Sequence, residues 1–553
     1  MNFMPLKANS SVDFNQPAQC HALLKRISVT DLEEAGSTLL ALLEGMAVAS
    51  PPPQGHLQVL EEIRPTLDYV LGEIAKRYAS RPLPPSSNEE ETLRQVVRLW
   101  SLMATNYGFV AQRYALEGSD TLVNHRAMLL QRRLRYHTLA MTEYFRARRE
   151  MPGNLWLDLH KLYVSAERVG VSQTRVSDAL NETWGAQSPL ESYVAMLLTD
   201  VACPYSRTPR EFGWVVRWAQ RFAPYCTLQD NPSDERSNRY LLRQDGDHGL
   251  RPALSPVAAD RPIRSLDTSK LAAHIQAVVS QLKSGVSAAS LGLGDDCVQP
   301  ACARLVVSLY RPWGLAASGR KFPRRLLNGQ IQICADPVAV AYFLTGKKFE
   351  QPEDHQIHYN DFTRTEAMLA LGERAEESEP TDEQLEARAL ALGYVQETWE
   401  VLDQSVAGFR LMRRQGDSRL DHRQLIGVRP SPQERMLLAE ISWLQFQQNG
   451  TLCAGVSLMP GPPVVLPVRL LIPERRNVRE RFRLGFMIPG VPALKTDPSL
   501  IVPAGWYVSN RRVEVEGESP WLARMTHLIT RGVNFDRVSF VREEQSASAQ
   551  NSP

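Results

Sequence analysis

The sequence is short of nearly every mark by which a catalytic, secreted or membrane-bound protein is recognised. Its seven cysteines (Cys20, Cys203, Cys226, Cys297, Cys302, Cys334 and Cys453) are odd in number, scattered and never spaced Cys-x-x-Cys. That pattern argues against a disulfide framework and for reduced thiols, and it lacks the ligand spacing of a structural zinc site. No run approaches the roughly 18 apolar residues a spanning helix needs. The opening MNFMPLKANSSVDFNQ has no charged region leading into an apolar one, so the expected location is the cytoplasm. Neither charge sign dominates: 63 basic against 61 acidic residues leave a net +2. With no global field toward nucleic acid or an anionic membrane, any anion site has to be a local group of arginines.

Motifs of catalysis are missing as well. No G-x-S-x-G, H-E-x-x-H or Walker A string and no cysteine–histidine pair stands out, so nothing suggests a nucleophile or an activated water. Gly292-x-Gly294 in SLGLGDDC lacks a third glycine and follows a helical segment rather than a strand, against a dinucleotide fold. His355 and His358 with Asp354 and Asp361 read as a polar loop rather than a metal cluster. The chain is expected to be no enzyme and to carry neither metal nor cofactor.

What is present is ordinary folding material, 43% hydrophobic and 22% charged, in a length of 553 residues that implies two to four domains. From about 30 to 225 the apolar period is helical, as in Leu60, Ile63, Leu67, Leu71 and Ile74. Ser86 and Glu89 have capping-box spacing ahead of Leu93, Val96, Val97 and Trp100. Trp156, Leu159, Tyr163 and Ala166 partly resemble the first helix of a tetratricopeptide repeat, with His160 where glycine is expected. These residues read either as the core of a helical bundle or as an adaptor repeat, and both readings make this half a surface for a protein partner. A polar stretch from about 228 to 266 holds the pair Asp245-Gly246, predicting a hairpin between Tyr240–Leu242 and Leu250. Helices follow over Leu271–Leu282 and Cys302–Leu309.

After Trp313 the period shortens. Ile331, Ile333 and Cys334, then Trp399 to Leu402, Gly408–Met412, Leu437–Trp443 and Leu452–Leu458, are strand-like runs bounded by glycine, proline or asparagine, at the spacing of a small barrel. Phe482, Leu484, Phe486 and Ile488 alternate with Arg481 and Arg483, and Val513 and Val515 do so with Arg512, Glu514 and Glu516. The expected class is α+β multidomain: an α-helical domain over 1–228, a linker with hairpin and helices over 229–314, a β-barrel over 315–470, a β-rich module over 471–541 and a polar tail over 542–553. An acidic segment at about 345–395, with a capping box from Thr381 to Gln384, reads as an insert with a surface helix.

Two short segments carry chemistry. SGRKFPRR supplies Arg320, Arg324 and Arg325 between Gly319 and a strand beginning near Gln330. Guanidinium groups grip phosphate oxygens or the O6/N7 edge of guanine in bidentate fashion and stack on bases. WEVLDQSVAGFRL supplies Asp403 and Ser405, two apart and so on one face of a strand, and Gly408, which lets the backbone turn or approach a ligand closely. A carboxylate with a hydroxyl suits the N1 and N2 donors of guanine.

These two strings, Arg320-x-x-x-Arg324 and Asp403-x-Ser405-x-x-Gly408 in that order, resemble the signature of PilZ domains, bacterial receptors of cyclic di-GMP. LLAEISWLQ and TLCAGVSLMPG are similar to strands of that barrel, and the resemblance covers about 315 to 465. It implies a nucleotide-binding barrel whose ligand is cyclic di-GMP, held by Arg320, Arg324, Arg325, Asp403, Ser405 and Gly408. With a helical N-terminal half, the layout is similar to large proteobacterial PilZ receptors tied to surface attachment, type IV pili and biofilm. The sequence separation of 79 from Arg324 to Asp403 exceeds the family's usual separation and requires the insert to be looped out. The alternative is a ligand-independent scaffold with a degenerate barrel.

Overall fold

A computed structural model describes residues 12–118, 121–230, 240–252, 263–317, 322–352, 382–416, 418–431, 433–471, 480–517 and 519–543. The chain forms two compact units, Met1–Lys321 with Gln445–Asn449, and Phe322–Leu444 with Gly450–Pro553. It is an α+β multidomain protein. Among the described residues no helix is long and apolar enough to cross a membrane, and no group of three or more His, Cys, Asp or Glu could hold a metal. His355, His358, Asp354 and Asp361 lie outside the described residues, as do most of the acidic insert and of the polar tail.

The first unit begins with α1 (Pro17–Leu24), α2 (Leu32–Ala49), α3 (Pro53–Ala75), α4 (Ser87–Leu116) and α5 (Thr121–Arg146). Leu60, Ile63, Leu67, Leu71 and Ile74 share the buried face of α3 and meet Leu39, Leu42, Val96, Trp100 and Tyr107. The helical period therefore marks a core. Ser86 and Glu89 form the capping box, with Ser86 N donating to Glu89 Oε2 at 2.7 Å and Glu89 N to Ser86 Oγ at 3.3 Å. This satisfies two amides that the helix start leaves without partners.

Inside this bundle His56 is fully buried. Its Nε2 hydrogen-bonds Asn106 Oδ1 at 2.8 Å, and its Nδ1 has no partner among the described residues. Burial disfavours the charged ring and pulls its pKa down to about 4, the Asn106 bond only partly opposing it. In the unfolded chain the ring titrates near 6.5. Between those values the unfolded state holds a proton that the folded state excludes. Stability is therefore complete at pH 7 and falls as pH drops through this window, by about 3 kcal/mol from this one group. Urea unfolding at pH 7 and pH 4.5 checks it: wild type should lose clearly more than His56→Gln, and equal losses would reject the assignment.

A second core gathers α6 (Leu155–Arg168), α7 (Pro189–Val201), α8 (Pro209–Phe222), α9 (Ser269–Lys283) and α10 (Ala301–Leu309) around Trp214, Trp218 and Trp313. Trp156, Leu159, Tyr163 and Ala166 are all buried on α6. His160, where a repeat would have glycine, is buried with them and bonded to Tyr193 Oη at 2.7 Å and the His248 carbonyl at 3.0 Å. A two-stranded ribbon, β1 (Val176–Ser177) and β2 (Ala186–Gln187), crosses between α6 and α7. The Asp245-Gly246 turn joins β4 (Tyr240–Arg243) to β5 (Arg251–Pro252), and β6 (Ile263–Asp267) and β3 (Thr227–Gln229) extend them in the order β3-β6-β4-β5. Asp247 of the turn accepts from the amides of Asn154, Trp156 and Leu157 at 2.6–3.2 Å, which fastens the hairpin to the start of α6. The expectation of reduced thiols throughout needs correction: Cys297 and Cys302 form a disulfide, because the turn before α10 brings their Cα atoms to 5.4 Å.

The second unit holds two closed six-stranded barrels. The first comprises β7 (Arg325–Cys334), β8 (Glu397–Ser405), β9 (Gly408–Arg413), β10 (Leu425–Arg429), β11 (Leu437–Phe446) and β12 (Leu452–Leu458), in the order β10-β11-β12-β9-β8-β7. The second comprises β13 (Val464–Leu470), β14 (Arg483–Ile488), β15 (Ser499–Pro503), β16 (Arg512–Val515), β17 (Trp521–Arg531) and β18 (Phe535–Glu543), ordered β13-β14-β15-β18-β17-β16. α11 (Pro337–Thr345) follows β7, and α12 (Asp382–Ala391) precedes β8. Ala339, Val340 and Ala341 of α11 pack with Leu425 and Leu438 of the first barrel and with Phe486, Ile488 and Phe535 of the second, one core serving both. Asn534 joins the barrels by accepting from Leu425 N at 2.9 Å.

Candidate functional site

β7 starts at Arg325, ahead of Gln330, because its antiparallel pairing with β8 continues to Arg325 opposite Gln404. Arg325 therefore stands at the start of a strand rather than within a loop, and Arg324 immediately precedes it. The ladder shifts register twice here, between Leu326 and Gly329 on β7 and between Val401 and Asp403 on β8. The second bulge decides the chemistry. Val401 pairs with Leu411 toward the barrel interior, where both are buried. Simple alternation would send Asp403 there too. The extra residue turns it outward instead, opposite Arg410, whose side chain is 43% exposed.

On that outer face Arg324 Nη1 donates to Asp403 Oδ1, across a sequence separation of 79 residues. Arg410 Nη1 lies 4.0 Å from Asp403 Oδ2. Arg410 Nε is buried without a hydrogen-bond partner among the described residues. One largely buried carboxylate thus faces two guanidinium groups, while the exposed Arg325 pairs with Gln404, one position along β8 from Asp403. The cluster carries surplus positive charge and donors free to take an anion.

The neighbouring Arg413 has a different part. It points inward, with Nη1 donating to Glu397 Oε2 at 2.6 Å and its guanidinium over the Trp399 ring at 5.3 Å. Burial works to raise the Glu397 carboxyl, but Ser418 and Arg413 hold it below its ordinary range. That pair belongs to the barrel's interior.

Ser405 and Gly408 make the turn between β8 and β9. Ser405 Oγ donates to the Gly408 carbonyl at 3.3 Å and accepts from Ala407 N at 3.3 Å. Gly408 has φ +156°, and a Cβ there would lie 1.9 Å from the Val456 carbonyl oxygen on β12. The close approach that this glycine permits is to a neighbouring strand. Of the residues expected from the sequence, Arg324 and Asp403 meet, Ser405 and Gly408 shape the adjoining turn, Arg325 is the next residue along β7, and Arg320 lies outside the described residues. Arg410 was missed although it lies within WEVLDQSVAGFRL; the signal was its place between the buried Phe409 and Leu411.

Two family models match the chain. "Cyclic-di-GMP receptor FimW, N-terminal domain" covers residues 18–234. "FimW C-terminal beta-barrel domain" covers residues 468–542. Between them they span more than half of the 553 residues. The chain is also similar to the cyclic-di-GMP receptor FimW of Pseudomonas aeruginosa, 21% identical over 515 residues that make up 87% of this chain and 83% of the relative.

Proposed function

Because the chain belongs to the FimW family, we propose that it is a receptor for cyclic di-GMP, without enzymatic activity, and that its first barrel is a PilZ-like ligand-binding barrel. The observation that carries this reading is the meeting of Arg324 and Asp403 on one outer face despite their distance in sequence. In this reading the ligand is held by Arg320, Arg324, Arg325, Asp403, Ser405 and Gly408. Asp403 accepts from the N1 and N2 donors of a guanine, and the arginines take phosphate oxygens and base edges. Arg324, paired with Asp403 before ligand arrives, exchanges that carboxylate for a phosphate when guanine claims it. Ligand affinity then biases the conformation of the arginine segment, which exposes or hides a surface for a protein partner of the helical half. The output would be control of attachment, pili, motility or biofilm from the cytoplasm.

Calorimetry with the full chain tests this. Wild type should bind cyclic di-GMP, and Arg324→Ala should weaken it at least about thirtyfold, the lower end of what losing one partner of a desolvated charge pair costs. No heat at tens of micromolar ligand, or equal affinity in the variant, sinks the reading. The alternative, a ligand-independent scaffold with a structural barrel, draws on Asp403 being already paired and the Ser405 hydroxyl being spent on its own turn. It predicts the same captured partners with and without nucleotide.

A further inference from the structure

The Gly292-x-Gly294 pair, which fits no dinucleotide fold, serves a close approach of another kind. Trp214 and Trp218 of α8 are buried, and their Nε1 atoms donate to Asp296 Oδ2 and to the Leu293 carbonyl, both at 2.8 Å. The loop before α10 is thereby fastened along the helix. Gly292 and Gly294, with φ of +68° and +105°, let it run against two arginines one helical turn apart, Arg221 and Arg217. A Cβ on Gly292 would lie 2.1 Å from Arg221 Cζ and 2.2 and 2.4 Å from its two Nη atoms. A point so nearly equidistant from the three sits above the guanidinium plane, so that plane lies flat on the glycine backbone. The Trp184 ring centroid is 5.2 Å from the same Cζ, and Trp184 is 38% exposed.

We propose that Arg221, with Arg217 and Trp184 beside it, is a carboxylate-binding site on the helical unit, the docking point for an acidic residue of a protein partner. Among the described residues Arg221 has no ion pair and no hydrogen bond, so a guanidinium already held in place keeps its in-plane donors open. Arg217 Nη2 is spent on Asp296 Oδ1 at 2.5 Å, but its Nε is buried without a hydrogen-bond partner among the described residues. Charge selects the ligand. Arg210, Arg217 and Arg221 stand against Asp295 and Asp296, and burial together with Arg221 holds the His274 ring below its ordinary pKa, hence neutral near pH 7. One positive charge is left over, which matches one carboxylate rather than a phosphate dianion. A planar fork of donors also fits a planar pair of oxygens. The exposed indole favours an acid whose neighbours in the partner's chain are apolar. The site rests on the functional reading above only for the partner of the helical half, not for the nucleotide.

The full chain labelled with fluorotryptophan gives the readout, the Trp184 fluorine resonance being the one that Trp184→Phe lacks. Acetyl-Leu-Glu-Leu-amide at millimolar concentration should shift that resonance saturably in wild type. The Leu-Gln-Leu counterpart should bind about tenfold or more weakly, as should Leu-Glu-Leu to Arg221→Ala, in keeping with the loss of a hydrogen bond between charged groups. Arg221→Lys should stay impaired, since an ammonium keeps the charge and loses the fork. No shift in wild type, equal binding of the glutamine peptide, or unchanged affinity in Arg221→Ala overturns the proposal, and tighter binding of Leu-phosphoserine-Leu overturns its choice of a carboxylate. If Arg221→Ala fails to fold, the glutamine peptide and Arg221→Lys decide. Titrating cyclic di-GMP into the same wild type keeps the two readings apart: binding of nucleotide without peptide removes this inference alone, and binding of peptide without nucleotide removes the receptor reading alone.

Discussion

Asp178→Ala should lower the stability of the helical unit by about 3–5 kcal/mol, the usual consequence of removing one partner from a buried ion pair. Asp178 follows β1, and its side chain is completely shielded from solvent. Arg64 Nη2 lies 2.5 Å from one of its oxygens, while Arg132 Nη1 at 3.1 Å and Arg135 Nη1 at 3.8 Å approach the other. It also accepts from Leu180 N at 3.0 Å, which shapes the loop to β2. Take the carboxylate away and, among the described residues, three buried or nearly buried guanidinium groups keep only Glu61 and Asp68, both partly exposed, as ion-pair partners.

The pKa direction agrees with that assignment. Burial alone would raise the Asp178 carboxyl, but Arg135, Arg132 and Arg64 outweigh it and hold it below its ordinary value. Its contribution is therefore fully present at neutral pH and is lost only in strong acid, as pH falls through the lowered value. Thermal melting should show a fall on the order of 10 °C for Asp178→Ala. Asp178→Asn, which keeps the shape and the Leu180 bond, should lose nearly as much, because charge is what is missing. A melting temperature within about 2 °C of wild type for both variants would make the cluster energetically idle. Pairing Asp178→Ala with Arg64→Met should return part of the loss, since fewer unpaired charges remain buried.

This cluster also marks a limit of reading function and fold from sequence. Helix faces were legible because Leu60 to Ile74 repeat at three- and four-residue steps, and Ser86 with Glu89 encodes a local hydrogen-bond pair. The Asp245-Gly246 hairpin was legible for the same reason, since turn chemistry is local. What Asp178 does was not: its three arginines come from α3 and α5, up to 114 residues away. The short β3, β6 and β10 escaped notice because three to five residues carry too little alternation to register. Cys297 and Cys302 are separated by five residues, a spacing that says nothing until a turn closes it.

At the candidate site the division is similar. Residue types in SGRKFPRR and DQSVAG could be matched to guanine and phosphate chemistry from the string alone. The bulge between Val401 and Asp403 could not, and it decides whether Asp403 faces the interior or the arginines.

Gly408→Ala should be the most damaging substitution in the first barrel, and it separates the structural part of DQSVAG from the chemical part. The added Cβ would stand 1.9 Å from the Val456 carbonyl oxygen, 2.9 Å from its carbon and 3.1 Å from Ser457 Cα. All three are backbone atoms of the paired strand, so no rotamer change gives relief; β9 must separate from β12 at the Gly408–Ser457 pair. Overpacking of this kind costs about 1–3 kcal/mol, and alanine at φ +156° adds roughly another 1 kcal/mol of backbone strain. Denaturant unfolding should therefore show a loss of about 2–4 kcal/mol. Gly329→Ala is the control, since that glycine sits at the β7 bulge of the same barrel with nothing within 4 Å of its would-be Cβ; it should unfold like wild type. Moving Gly408 also breaks its carbonyl's bond with Ser405 Oγ and shifts the strand end that carries Asp403. Cyclic di-GMP affinity should then fall together with stability in Gly408→Ala, whereas Arg324→Ala, at the partly exposed end of its pair with Asp403, should lose affinity with a smaller loss of stability. If Gly408→Ala unfolds with wild type, the close approach of β9 to β12 is not what this glycine is for.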